Sequence, residues 1–155
     1  MKHTGFLKGF AVGLLVSGAC FAAAVTQRDL TQEEANIAIA MEFYDLLLNQ
    51  KDFAKGKELM GPYYTQHNPN AADGFEGIEK HINMLRETYP ENHGEIKRVF
   101  SNGDLVALHV HSKRTPDSLG NAVVDMFRIE NGKVVEHWDV VQAVPETSLN
   151  DNTMF

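Results

Sequence analysis

The chain predicts an α+β fold in which three N-terminal helices pack on one face of a curved, mainly antiparallel sheet. Two observations carry that prediction. Apolar residues recur at helical spacing up to Tyr89 and change to strand-like spacing from Glu95 onward. The stretch from Val123 to Gln142, VVDMFRIENGKVVEHWDVVQ, is two runs rich in Val, Ile and Phe joined at Asn131-Gly132, a strong short-range hairpin signal. Consecutive helices followed by consecutive strands bury their apolar sides as two layers. A curved sheet closed by helices leaves a concave pocket, the usual place for a ligand.

The first segment stands apart from that fold. Lys2 and Lys8 charge the start, Gly9 to Val25 carries no charge, and Ala22-Ala23-Ala24 suits cleavage after Ala24. Residues 1–24 therefore read as an export signal and residues 25–155 as a single domain, periplasmic or secreted. The apolar stretch is short and rich in small residues for a membrane span, so the membrane would be met only through an uncleaved signal. Cys20 has Ser17 three residues before it, where a lipoprotein signal carries Leu or Val. Of 155 residues, the 131 after the signal suffice for one core and include no cysteine. Disulfides, thiol catalysis and cysteine-ligated metals are excluded. Without Lys2 and Lys8, 12 of the 14 basic residues remain against 21 acidic ones, a net charge of −9. The nearest basic cluster is Lys113-Arg114, so nucleic-acid binding is not expected.

Thr31-Gln32-Glu33-Glu34 fits a capping box, and Ile37, Met41, Tyr44 and Leu48 follow at helical spacing, which predicts a helix over 31–50. Asp52 can cap a short helix to about Met60, stopped by Gly61-Pro62. Tyr63 to Gly74, YYTQHNPNAADG, reads as a loop. A third helix runs from about Phe75 to Tyr89, with Ile78, Ile82 and Leu85 on one side and Pro90 at its end. Strands are predicted over Ile96–Phe100 and Leu105–Arg114, then a loop from Thr115 to Asn121, then the hairpin. No internal repeat divides the chain.

Asp125, His137 and Asp139 interrupt the apolar residues of that hairpin, and on a shared buried face they would be candidates for acid–base chemistry. Whether they share one depends on the turn. A two-residue loop, Asn131-Gly132, pairs Glu130 with Lys133 and sets Asp125 opposite Trp138. A three-residue loop, Glu130 to Gly132, sets Asp125 opposite His137 and lines Val123, Asp125, Phe127, Val135, His137 and Asp139 along one face. Both loops suit the sequence, and a slip of one residue turns a strand over. Asp139, flanked by Trp138, Val140 and Val141, is the best single candidate for a base, since partial desolvation raises a carboxyl pKa toward a working range. Asp125 either pairs with His137 for structure or shares the chemistry.

His109 and His111, two apart on a strand, project to one face. With His137 and an aspartate they could hold a metal. Gly103 followed by His-x-His imitates the opening of the cupin metal motif, but Thr115 and Pro116 stand where its glutamate belongs, and no metal is expected. Neutral hydrogen-bonding or proton-shuttling roles suit these histidines. Tyr64, His67 and Asn68 lie in the loop after the second helix, where polar side chains can orient a substrate, although Asn68-Pro69-Asn70 would also end a helix by turn chemistry alone. Trp138 packs in a core, at an interface or beside a ligand. His81 and His93 show no constellation.

The order of elements, the loop YYTQHNPNAADG, the strand DLVALHVHSKR and the closing hairpin together resemble a SnoaL-like protein of the nuclear transport factor 2-like superfamily, over about Thr31 to Val144. The resemblance implies a cone whose curved sheet wraps an internal cavity. The founding members are polyketide cyclases that close a ring by intramolecular aldol condensation, using an aspartate and no cofactor or metal. That aspartate stands seven residues after the turn glycine, and counting from Gly132 lands on Asp139. A pocket histidine of the family falls on Asp125 here, and a pocket asparagine before a proline falls on Asn68. The matching favours the three-residue turn, which sets positions 125 and 139 toward the cavity.

The expectation is an exported protein performing cofactor-independent acid–base chemistry, of aldol/cyclase, isomerase or dehydratase type, on a small carbonyl compound. Asp139, His137 and Asp125 would be catalytic, with Tyr64, His67, Asn68, His109, His111 and Trp138 around the substrate. The alternative is a non-catalytic module of the same fold that encloses a small hydrophobic ligand. An exposed sheet face bearing Trp138 and Val140 points to a homodimer.

Overall fold

The computed structural model describes residues 28–155; the expected export signal and Cys20 lie outside them. Three helices, α1 (Leu30–Tyr44), α2 (Phe53–Glu58) and α3 (Gly74–Thr88), pack on a five-stranded sheet. Its strands are β1 (Met60–Gln66), β2 (His93–Asn102), β3 (Leu105–Lys113), β4 (Asn121–Glu130) and β5 (Lys133–Ala143), in the spatial order β1-β5-β4-β3-β2. β1 runs parallel to β5 and every other pairing is antiparallel. The α+β expectation holds. Among the described residues no helix is long and apolar enough to cross a membrane.

The start of α1 differs from the capping box read at Thr31. Asp29 is the cap, its carboxylate accepting from the Gln32 N–H at 3.1 Å. Glu33 points away from the helix end and into the protein. Its carboxylate pairs with Arg28 and accepts from Ser101 Oγ at 3.1 Å and the Gly103 N–H at 3.0 Å. That clasp ties the first turn of α1 to the β2–β3 turn. Beyond Tyr44 the helix widens into a π turn, Asp45–Asn49, closed by Gln50 N–H to Asp45 O at 2.9 Å. The Asn49 amide then brackets Gly94 on β2, donating to its carbonyl and accepting from its N–H.

Strand β1 is a correction, because residues 60–66 read as a helix end and a loop. The helix ends earlier than expected, at Glu58 with Leu59 as its cap, and Gly61-Pro62 already lies in the strand. The chain runs along β5, with Val134 N–H donating to Leu59 O and His67 N–H to His137 O. β1 is an edge, where a proline lacking its N–H is tolerated. Gly61 approaches Val135 so closely that any side chain there would collide with it.

The hairpin adopts neither register expected. Asn131 (φ 51°) and Gly132 (φ 74°) form a two-residue turn, pairing Glu130 with Lys133 and Ile129 with Val134. A bulge at Val134-Val135 then inserts one residue, so Arg128 meets Glu136, Phe127 meets His137 and Asp125 meets Asp139. Both valines are fully buried. The extra residue restores the face-sharing of Asp125, His137 and Asp139 that the three-residue turn would have produced.

The helix-facing side of the sheet carries Val106, Leu108, Val110, Val123, Phe127, Ile129 and Val134, packed against Ala40, Phe43, Leu47, Ile78, Ile82 and Leu85. Phe43 meets Phe127 edge to face, ring centroids 5.6 Å apart. Each such side chain contributes roughly 1.5–3 kcal/mol by leaving water, which lets the same face hold a few ionisable groups.

Candidate active site

Strand alternation builds the site. Phe127 is buried, so Asp125 two residues before it points to the same side, and Leu108 lies beside it on β3. His137 and Asp139 come from β5, opposite Phe127 and Asp125. On the other flank β1 pairs Gln66 with His137, so Gln66 and Tyr64 also face the helices.

The hydrogen bonds assign the protons. Gln66 Oε1 accepts from the Asn68 backbone N–H at 2.9 Å and lies 2.9 Å from His137 Nδ1. Because a backbone N–H only donates, that Gln66 atom is the amide oxygen, and His137 carries a proton on Nδ1. His137 Nε2 then faces Asp125 Oδ1 at 3.0 Å. One proton lies between these two atoms, as imidazolium donating to carboxylate or as carboxylic acid donating to neutral imidazole. Burial pushes the Asp125 carboxyl up from its ordinary value, the bond and charge of His137 oppose this, and Asp139 adds to it.

Asp139 stands directly opposite Asp125, an arrangement that destabilises a sheet when both are charged. The proton held by the Asp125–His137 pair removes that repulsion, and Asn68 Nδ2–H donates to Asp139 Oδ2 at 2.6 Å. Among the described residues Asp139 Oδ1 makes no hydrogen bond, so it is the atom open to an incoming group. Ligand atoms of Asp125, His137 and Asp139 all lie within 4.8 Å of one another, so the three could converge on a cation. A metal would have to displace the proton between Nε2 and Oδ1.

Three further groups feel the charge of the cluster. Tyr64 is buried, and burial with the charges of Asp125 and Asp139 holds its phenol protonated. Tyr44, from α1, is raised likewise by burial and Asp125. Its hydroxyl lies so close to Gly94 that a side chain there would collide with it. His81, from α3, has its pKa lowered by burial and by the charges of Arg114 and His137, while Asp139 opposes them.

Other sequence candidates are on the opposite side of the sheet. Val106, Leu108 and Val110 are buried, so His109 and His111 face outward. They stack on Phe155 with centroids 5.6 and 4.2 Å apart, and His111 Nε2–H donates to Leu119 O at 2.8 Å. Trp138 also faces outward, stacked on His67 at 4.7 Å, with the Arg128 guanidinium 5.6 Å from its ring. Glu136 joins His67 and Arg128 at 2.7 and 2.8 Å. The expectation that His67, His109, His111 and Trp138 gather round one substrate with Asp139 is therefore corrected, because strand alternation separates them from it by the thickness of the sheet. Gln66, Tyr44 and His81 were missed. Gln66 was hidden by reading β1 as a loop, although Tyr64 and Gln66 two apart are a strand signal.

A family model for SnoaL-like polyketide cyclase matches residues 38–146. Among solved structures, TsrD from Streptomyces laurentii is 22% identical with a TM-score of 0.58, over 69% of this chain and 88% of that one. AclR from Streptomyces galilaeus, put forward as a hydroxylase, is 21% identical with a TM-score of 0.62, over 73% and 82%. A Kribbella flavida protein put forward as a ketosteroid isomerase is 16% identical with a TM-score of 0.62, over 80% and 90%. At these identities the likeness carries the fold and not the reaction. The chain has no match among curated proteins.

Proposed function

The chain belongs to the SnoaL-like polyketide cyclase family, and from that premise we propose that it performs cofactor-independent proton transfer on a small carbonyl compound. Asp139 takes a proton from the carbon next to the carbonyl, and the electron pair moves to the carbonyl oxygen. The proton held between Asp125 and His137 passes to that oxygen, leaving a carboxylate and a neutral imidazole. The enol then attacks a second carbonyl, is reprotonated elsewhere or expels a leaving group, giving cyclase, isomerase or dehydratase chemistry. Supporting this is one observation: a carboxylate with an open oxygen stands beside a buried pair that holds one proton, a base and an acid side by side.

The test needs no known substrate. Hydrogen–deuterium exchange next to the carbonyl is followed by NMR for a panel of small oxo compounds in D2O. The wild type accelerates exchange of a subset, and Asp139→Asn slows it by ~10²–10⁴ while keeping its circular dichroism. Binding without exchange would leave the chain a ligand-binding module of the same fold.

Export and self-association belong to the same proposal. The charged start and the Ala triplet support cleavage near Val25, and intact mass of exported protein decides it. Phe100 and Val140, 61% and 63% exposed on the outer sheet face, support a homodimer through that face. Light scattering giving a monomer at all concentrations would remove it.

A further inference from the structure

We propose that the substrate carries a carboxylate and that Arg114 and His81 hold it at the mouth of the site. This rests on the reading of Asp139 as the base. The chain has five arginines, and four have hydrogen-bond acceptors: Arg28 on Glu33, Arg86 on Lys51 O, Arg98 on His109, and Arg128 on Asp104 and Glu136. Arg114 is different. Just past the end of β3, its guanidinium lies over the Tyr89 ring at 4.5 Å, and among the described residues it makes no ion pair. Stacking fixes the plane of the guanidinium and leaves its N–H edge free, the arrangement that suits two-point recognition of a carboxylate.

Tyr89 ends α3, and His81 lies two turns earlier on that helix, half-buried. The charges of Arg114, His137 and Asp139 all reach His81. Beside it opens a cleft of about 220 Å³ between α3 and the loop at Asn70 and Ala71. Its described lining includes Lys80 and His81 and no acidic side chain, in a chain of net charge −7. The volume is that of about seven waters at ~30 Å³ each, room for a short acyl group. An anionic substrate would be repelled by Asp139 unless a cation offset the repulsion, and Arg114 with Lys80 places positive charge on the approach.

Levulinate and methyl levulinate, the same oxo compound with and without a charge, are the probes. Their dissociation constants are measured by NMR titration for the wild type, Arg114→Met and Asp139→Asn, with melting curves to confirm folding. The wild type is expected to bind levulinate about 10- to 100-fold tighter than the ester. Arg114→Met should bring the ratio to near one by weakening levulinate alone, and Arg114→Lys should restore part of it. Asp139→Asn should keep the preference for levulinate while losing exchange. Equal binding of acid and ester by the wild type, binding of neither, or an unchanged ratio in Arg114→Met would overturn the proposal. Exchange surviving in Asp139→Asn while the Arg114 effect persists would overturn only the base.

Discussion

Two acids sit almost out of water, Glu33 at 3% and Asp125 at 8% exposure, and the protein treats them oppositely. Glu33 is surrounded by donors, the Arg28 guanidinium, Ser101 Oγ and the Gly103 N–H, which hold its pKa down to about 2. Asp125 has one partner, His137, and a second carboxylate directly across the sheet, and burial carries its pKa upward. Burial alone therefore does not set the protonation of an acid; the supply of donors does. The saturated carboxylate closes the fold by tying α1 to the β2–β3 turn. The under-supplied one keeps a proton that can be given away.

The contrast is sharpest if each acid is neutralised in turn. Asp139→Asn, which removes the open oxygen beside Asp125, should cost ~10²–10⁴ in exchange rate with little change in melting temperature. Asp125→Asn should lower the rate less and leave the melting temperature the same or higher, since it removes one of two facing carboxylates and its amide can still donate to His137 Nε2. Glu33→Gln should do the reverse, lowering the melting temperature by several degrees with exchange per folded molecule unchanged. A rate loss in Glu33→Gln at full folding would break the comparison.

The pH dependence separates the two acids by sign. Glu33 has a folded pKa below its unfolded one, so the stability it contributes is present above about 4.5 and is lost as pH falls toward about 2. Asp125 has a folded pKa above its unfolded value, so its contribution is full below about 3.8 and is lost as pH rises through the raised value. Melting temperature against pH should show Glu33→Gln flattening the acid limb alone and Asp125→Asn flattening the decline on the higher side. The smallest effect concerns the cap: Asp29→Ala should cost about 1 kcal/mol and Thr31→Ala within about 0.5, by chemical unfolding.

Much of this was readable in the chain. Periodicity placed the three helices and four of the strands, and the Asn-Gly turn located the hairpin. The outward facing of His109 and His111 was also legible, since both alternate with Val106, Leu108 and Val110. Three features were not. A choice between Asp29 and Thr31 as cap turns on where Glu33 is needed, and its partners at Ser101 and Gly103 are some 70 residues away. The start of strand β1 owes its existence to β5, since Gly61-Pro62 has no strand propensity and the signal is confined to Tyr63 to Gln66. The bulge leaves no local trace, because Val134-Val135 suits a regular strand as well as an irregular one.

That bulge has a further consequence, for register rather than composition. It lies between the turn and Asp139, so whether the extra residue is bulged or paired works like a reading frame for the sheet. Were both valines paired regularly instead of bulged, the ladder would set Trp138 opposite Asp125 and turn Asp139 and His137 outward. Glu136 and Trp138 would enter the helix-facing side in their place. Every side chain would be retained and the order of elements unchanged, yet the interior and exterior of β5 would have exchanged their chemistry. A register slip of one residue in this hairpin is therefore a route by which such a scaffold could gain or lose a reaction without a single substitution.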